Sequence, residues 1–187
     1  MRHALIKGGL GVLAVAAVTG AYLLGIQMTG NLGAVVAGEV YRSNQPTPAR
    51  LEAYEKTYGI RSVINLRGGS QGEDWYDQEL ATSKALDIRH YDFPMSDREE
   101  LSQDRAIQLV ALMEKAEKPM LIHCKAGADR TGLASALYMA KIAGSSERDA
   151  EAQIGIRFGH ISVPVSPSYA MDSTFEKLEP VLGFPHS

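Results

Sequence analysis

The chain has 187 residues, 45% of them hydrophobic and 22% charged, with 8 prolines and 1 cysteine. That size and balance describe one globular domain and exclude a disordered chain, a collagen-like repeat and a small disulfide scaffold. A lone cysteine also excludes an internal disulfide and a cysteine-built zinc site, which takes several thiolates. The net charge of −3 is unevenly spread: residues 1–30 hold Arg2 and Lys7 and no acid, so the other 157 residues carry 17 basic against 22 acidic side chains. So acidic a domain lacks the surface for nonspecific nucleic-acid binding, and no nucleic-acid partner is expected.

From Gly8 to Met28 run 21 residues without a charge, roughly 31 Å of helix against a hydrocarbon core of about 30 Å. The run predicts a transmembrane helix that holds the protein to a membrane. Arg2 and Lys7 on its N-terminal side keep that end in the cytoplasm and export the domain. A cleavable signal peptide is the competing reading, and a third is a buried helix of the domain itself, which five glycines in the run would weaken in water. Val35-Val36-Ala37 and Thr19-Gly20-Ala21 suit cleavage, but the first lies past the apolar run and the second inside it. The chain thus divides into an anchor or signal segment, residues 1–30, and a globular domain, residues 31–187. The first two readings place the domain outside the cytoplasm, in the periplasm of a bacterium: membrane-anchored, or exported and soluble after cleavage.

Beyond the anchor, short apolar strands alternate with amphipathic helices, which predicts an α/β domain: a central, mostly parallel sheet flanked by helices. Glu39 to Arg42 reads as the first strand, and Pro48 opens a helix that Gly59 stops. Ser62 to Leu66 is the second strand, broken by Gly68-Gly69. A helix from about Glu73 to Leu86 and a strand from Ile88 to Phe93 follow, halted by Pro94. Ser102 caps a helix reaching about Glu117, closed by Pro119. Met120 to His123 is a buried strand, and Thr131 to Ala143 is apolar nearly all round, as an interior helix would be. Ser166-Pro167-Ser168 begins the last helix.

Between that strand and that interior helix lies His123-Cys124-Lys125-Ala126-Gly127-Ala128-Asp129-Arg130-Thr131-Gly132. The spacing from Cys124 to Arg130 lets the backbone curl into a ring with sulfur at its floor and the guanidinium returning across its rim. Successive N–H groups then point inward, reinforced by the positive end of the helix, and make a cradle for a tetrahedral dianion. Arg130 can grip two phosphate oxygens with its planar fork, and the same field favours the thiolate of Cys124. Gly127 permits a turn that a β-carbon would obstruct.

This segment resembles the HCxxGxxRTG signature of the cysteine-based phosphatases, the superfamily of the protein tyrosine and dual-specificity phosphatases. The resemblance extends over about residues 38 to 180: Val40-Tyr41-Arg42-Ser43 with Gln45-Pro46 is similar to the opening strand of compact bacterial dual-specificity enzymes, and Val63 to Arg67 to their second strand. It implies that Cys124 attacks phosphorus to form a phosphocysteine, that Arg130 and the N–H groups of Lys125, Ala126, Gly127, Ala128, Asp129 and Arg130 hold the phosphate oxygens, that the Thr131 hydroxyl eases departure of sulfur, and that His123 orients the loop. No metal and no cofactor is implied. The general acid falls to Asp97, 27 residues before Cys124 in the loop Pro94-Met95-Ser96-Asp97, a match to the acid loop of periplasmic dual-specificity phosphatases. Asp92, inside the presumed strand, and Asp129, where myotubularin-type lipid phosphatases carry an aspartate, are the alternatives. An acid within the loop also weakens its pull on anions.

The expected partner is a phosphorylated protein, phosphotyrosine favoured. The alternatives are a phosphoinositide or other phospholipid, suggested by Lys125-Ala126-Gly127, and an inactive phosphate-binding module. Arg67 reads as lining the pocket or tying strand to helix, and Trp75 and Tyr76 as rimming the cleft or packing in the core. Tyr169 looks structural, and His90, His160 and His186 are too scattered to propose as ligands. With no second cysteine, an oxidised Cys124 must be rescued by an external thiol.

Overall fold

The computed structural model describes residues 2–184 and, from residue 15 onward, their side chains. It opens with helix α1 (Arg2–Met28), followed by β1 (Gly33–Val36), β2 (Val40–Ser43), α2 (Pro48–Tyr58), β3 (Ser62–Asn65), α3 (Asp74–Ala85), β4 (Arg89–Asp92), α4 (Gln103–Lys115), β5 (Met120–His123), α5 (Asp129–Lys141), the short α6 (Glu147–Glu151) and α7 (Ala170–Leu182). The punctuation read in the sequence sets the ends: Thr47 caps α2 with Pro48 in its first turn, Gly59 ends it at φ 68°, and Ser102 caps α4 by accepting from the Arg105 N–H.

The sheet order is β1-β2-β5-β3-β4, with β1 antiparallel to β2 and every other pair parallel. Strand alternation divides the core. Tyr41, Val63 and Leu121 face one side and pack with Leu51, Tyr54 and Ile60. Val40, Ile64 and Ile122 face the other, against Leu109, Met113, Leu133, Leu137 and Phe175 of α4, α5 and α7. The parallel strands end level with one another, because Ser43 and Asn65 both pair with His123 and Asn65 pairs with Asp92. Four loops therefore leave one edge of the sheet together, at the carboxyl ends where open α/β sheets bind ligands.

Two differences from the sequence reading concern the fold. Strand β1 was not anticipated, because a half-exposed four-residue edge strand carries no apolar alternation. The last helix starts at Ala170, and Ser166-Pro167-Ser168 belongs to a separate turn before it.

The third difference concerns the N-terminus. The side chains of residues 2–14 lie outside those described, and among the described residues no helix is long and apolar enough to cross a membrane. The last two turns of α1 lie against the domain. The Tyr22 hydroxyl donates to the Arg157 carbonyl at 2.6 Å, and Leu23 and Ile26 pack beside Gly159. Leu24 and Met28 on the same two turns are exposed, so only one side of this stretch meets the domain.

Half-buried apolar side chains such as Leu23 and Ile26 each stabilise by about 1 kcal/mol. A chain lacking residues 1–30 should therefore melt roughly 4–8 °C below one lacking residues 1–21. Thermal denaturation of the two truncations checks this, and equal melting temperatures would show that α1 contributes nothing to the domain.

Candidate active site

The segment Cys124–Ala128 leaves the buried end of β5 and enters α5, and its carbonyls are held from outside one after another. The Lys125 carbonyl accepts from the Gln45 N–H at 3.3 Å. The Ala126 carbonyl accepts from the side-chain amides of Gln27 and Asn31, each at 2.9 Å. The Gly127 and Ala128 carbonyls accept from the Arg42 guanidinium at 2.9 and 3.3 Å. Amide N–H groups of a curled backbone face away from its carbonyls, and none of those of Lys125 to Ala128 donates a hydrogen bond among the described residues. The outward carbonyls thus leave a concave set of donors beside Cys124, the nest that the sequence predicted.

Close packing makes this shape specific. Gly127 sits at φ 70°, and a β-carbon there would lie 2.6 Å from the backbone of Ser43 and Asn44. Cys124 is buried. The Thr131 hydroxyl and the Arg130 Nε are buried polar atoms without a partner among the described residues, in the first turn of α5, as groups that engage sulfur and a bound anion would be.

Of the three candidate acids, the structure leaves one unengaged. Asp92 ends β4, where its carboxylate accepts from Asn65 Nδ2 at 2.8 Å and from the Tyr76 hydroxyl. Asp129 accepts from His160 at 2.7 Å. Asp97, half-buried, has no side-chain partner among the described residues. Its loop leans on the phosphate loop, because Arg130 Nη1 donates to the Met95 carbonyl at 3.4 Å. The approach is tight on the other side as well. A β-carbon on Gly68, at φ 80°, would lie 2.7 Å from the Pro94 side chain.

A second set of buried polar groups holds the loop from the α3 side. Glu79 Oε1 accepts from His90 Nε2 at 2.7 Å and from His123 Nε2 at 3.1 Å, while its other oxygen accepts from Gln45. Gln45 in turn accepts from Arg67 at 2.8 Å, and the Arg67 guanidinium stacks 3.3 Å over Trp75. Arg67 and Trp75 therefore form one half-exposed unit at the site, whereas Tyr76 packs in the core. Burial alone would push the Glu79 carboxyl up, but the two imidazoles outweigh it and bring it down to about 2. Arg42 shows the opposite balance. Full burial lowers its guanidinium to about 9, partly offset by the Cys124 sulfur.

The structure thus brings together His123, Cys124, Lys125 to Thr131 and the loop of Asp97. His186 lies outside the described residues. Sequence reasoning missed Arg42, Glu79, Gln27, Asn31 and His160 as site residues. Arg42 in a buried strand, and Glu79 on the stripe that buries Tyr76 and Ser83 on α3, were visible as charges in apolar positions. His160 carried no local signal, because its partners lie 31 and 12 residues away.

Comparison with known proteins agrees with this geometry. Residues 34–170 match the family model described as Swiss Army Knife protein, DSP-PTPase phosphatase domain. The chain belongs to this family. It is 30% identical over 103 residues to the inositol diphosphatase DSP3 of Arabidopsis thaliana, an alignment covering 52% of this chain and 48% of that protein, so the chain spans about half the length of that relative. Among solved structures it resembles TpbA of P. aeruginosa (TM-score 0.62, 19% identity, 83% of this chain and 92% of that one). It also resembles the core catalytic domain of the PP-IP phosphatase SIW14 of S. cerevisiae (TM-score 0.59, 19% identity, 82% and 93%). At such identities these likenesses establish the fold alone. Residues 34–170 are thus a cysteine-based phosphatase domain of the dual-specificity and tyrosine phosphatase type.

The Glu79 network makes the stability of the fold sensitive to acid. A carboxylate depressed from 4.5 to about 2 contributes its stability in full above 4.5 and loses it as pH falls towards about 2. Glu79→Gln should cost about 2 kcal/mol at neutral pH. Denaturant unfolding of both proteins should show that gap closing as the pH is lowered below 4.5. A gap independent of pH would mean that the carboxylate charge is not what Glu79 contributes.

Proposed function

We propose that the protein hydrolyses phosphomonoesters through a phosphocysteine on Cys124, with phosphotyrosine in proteins as its substrate. The observation that carries the reaction is the run of outward-held carbonyls from Lys125 to Ala128, which prepares inward N–H donors around a sulfur before any substrate arrives. The Cys124 sulfur attacks phosphorus while Arg130 and the loop amides hold the equatorial oxygens. The bond to the leaving oxygen breaks, and Asp97 delivers its proton there. Water then attacks the phosphocysteine and gives its proton to Asp97, while the Thr131 hydroxyl donates to the departing sulfur. His123, held by Glu79, orients the loop.

The choice of phosphotyrosine over a polyphosphate is supported by charge. The domain beyond residue 30 has more acids than bases, and the loop itself contains Asp129. A headgroup bearing several phosphates calls for a more basic mouth than Arg67, Arg130 and Lys125 provide. The second reading, an inositol phosphate or lipid phosphate, is favoured by two similar proteins, one an inositol diphosphatase and the other a PP-IP phosphatase.

We also infer that the domain works outside the cytoplasm. Support comes from the basic N-terminus ahead of an uncharged run and from the exposed Val15, Val18, Leu24 and Met28 on α1. N-terminal mass spectrometry of membrane and soluble fractions tests this, and a full-length chain confined to the cytoplasm would refute it.

Two measurements test the chemistry. Phosphate release from phosphotyrosine peptides, phosphoserine peptides and inositol phosphates should be fastest for phosphotyrosine, and Cys124→Ser should abolish all of it; faster release from an inositol phosphate would select the second reading. In Asp97→Asn, kcat/KM should fall about 10²-fold and the alkaline limb of its pH profile should disappear. An unchanged profile would remove Asp97 from the acid role.

A further inference from the structure

The aspartate inside the phosphate loop poses an electrostatic problem that the mechanism above does not solve. Asp129 is the first residue of α5, next to Arg130, and a bare carboxylate there opposes the binding of a dianion. Its Oδ1 is not bare. It lies 2.7 Å from His160 Nδ1, and His160 Nε2 lies 2.7 Å from Asp172 Oδ2 in the first turn of α7. Carboxylates accept and do not donate when ionised, so both ring nitrogens carry protons and the ring is an imidazolium. It is 1% exposed, delivered by Gly159 at φ 89° and fastened by its own N–H to the Gly155 carbonyl.

We propose that His160 is a positioning and charge-compensating residue of the phosphate loop: clamped between Asp129 and Asp172, it cancels the loop's own negative charge and turns that carboxylate away from the bound phosphate. The inference rests on the reading of Cys124 to Arg130 as a phosphate cradle and adds a pH-dependent control of its affinity. The charged groups that face the ring are Asp129 from α5 and Asp172 from α7. Burial alone lowers an imidazole, but the two carboxylates outweigh it and hold His160 above the ordinary 6.5. The compensation is therefore complete below 6.5 and is lost as pH rises through the raised value. When the proton leaves, Asp129 faces the cradle uncompensated and anion affinity drops.

The test uses the full chain and competitive inhibition by tungstate, a dianion across the working range, against an aryl phosphate. Wild-type inhibition should weaken about tenfold in one step as pH rises past the titration of His160. Asp129→Asn should keep the low-pH affinity and lose the step. His160→Gln should bind tungstate about tenfold more weakly at low pH, and the double variant Asp129→Asn/His160→Gln should recover most of that loss. A double variant as weak as His160→Gln, as a merely structural histidine predicts, would overturn the proposal, and so would a step that survives in Asp129→Asn, because its origin would then lie elsewhere than in the compensation of Asp129. Should His160→Gln not fold, the Asp129→Asn comparison alone decides. Wild-type protein indifferent to tungstate would instead bring down the cradle reading itself, together with what rests on it.

Discussion

The site depends on the direction in which four peptide carbonyls point. A loop that binds an anion must turn its N–H groups inward, and the geometry of the peptide then forces its carbonyls outward, where each needs a donor or stands unsatisfied in the protein interior. Here the donors come from four places: the backbone of Gln45, the amides of Gln27 and Asn31, and the guanidinium of Arg42. Arg42 serves two of the four carbonyls and also donates to the Gln153 carbonyl at 2.7 Å, so it joins the loop to the segment after α6. A buried guanidinium is expensive unless its donors are paired, and the loop carbonyls pair them. Loop and arginine satisfy each other.

Charge is handled in the same paired manner around the loop. Arg42 lies beneath it near the sulfur, Glu79 sits between His90 and His123, and His160 sits between Asp129 and Asp172. Each of these buried groups has complementary hydrogen-bond partners, carbonyls for Arg42, imidazoles for Glu79 and carboxylates for His160, which is the condition for keeping it away from water. The result is a rigid cradle in an acidic domain. An approaching anion would meet one local arrangement of dipoles and Arg130, in place of an attractive field over the whole surface.

The end of α1 belongs to this arrangement. Gln27 and Asn31 reach the Ala126 carbonyl, Asn31 also donates to Phe158 at 2.8 Å, and Asn44 binds back to the Gln27 carbonyl at 3.0 Å. A helix that reads from its sequence as an element apart from the domain therefore ends as a wall of the loop. Hydropathy could not show this, since an apolar helix face looks alike whether it meets lipid or Leu23 and Ile26 meet the turn at Gly159.

What the sequence by itself determined was local. The spacing of Cys124, Gly127 and Arg130 between an apolar strand and an apolar helix dictates a loop of this kind, because only glycine takes φ 70° against the backbone of Ser43 and Asn44 and only arginine offers a planar fork. Proline, serine and glycine punctuation likewise set most helix ends, and alternation along Val63-Ile64 and Leu121-Ile122 told which side chains face which layer. Only the tertiary structure decided which acid is unengaged, where Asp129 points and what holds the carbonyls. Asp92, Asp97 and Asp129 are alike as sequence, and what separates them is whether Asn65, Tyr76 or His160 lies at hydrogen-bond distance. Those partners come from other strands and helices, brought together by the crossover that sets β5 between β2 and β3. Pairings across that distance leave no trace in spacing along the chain, because they depend on where separate elements meet.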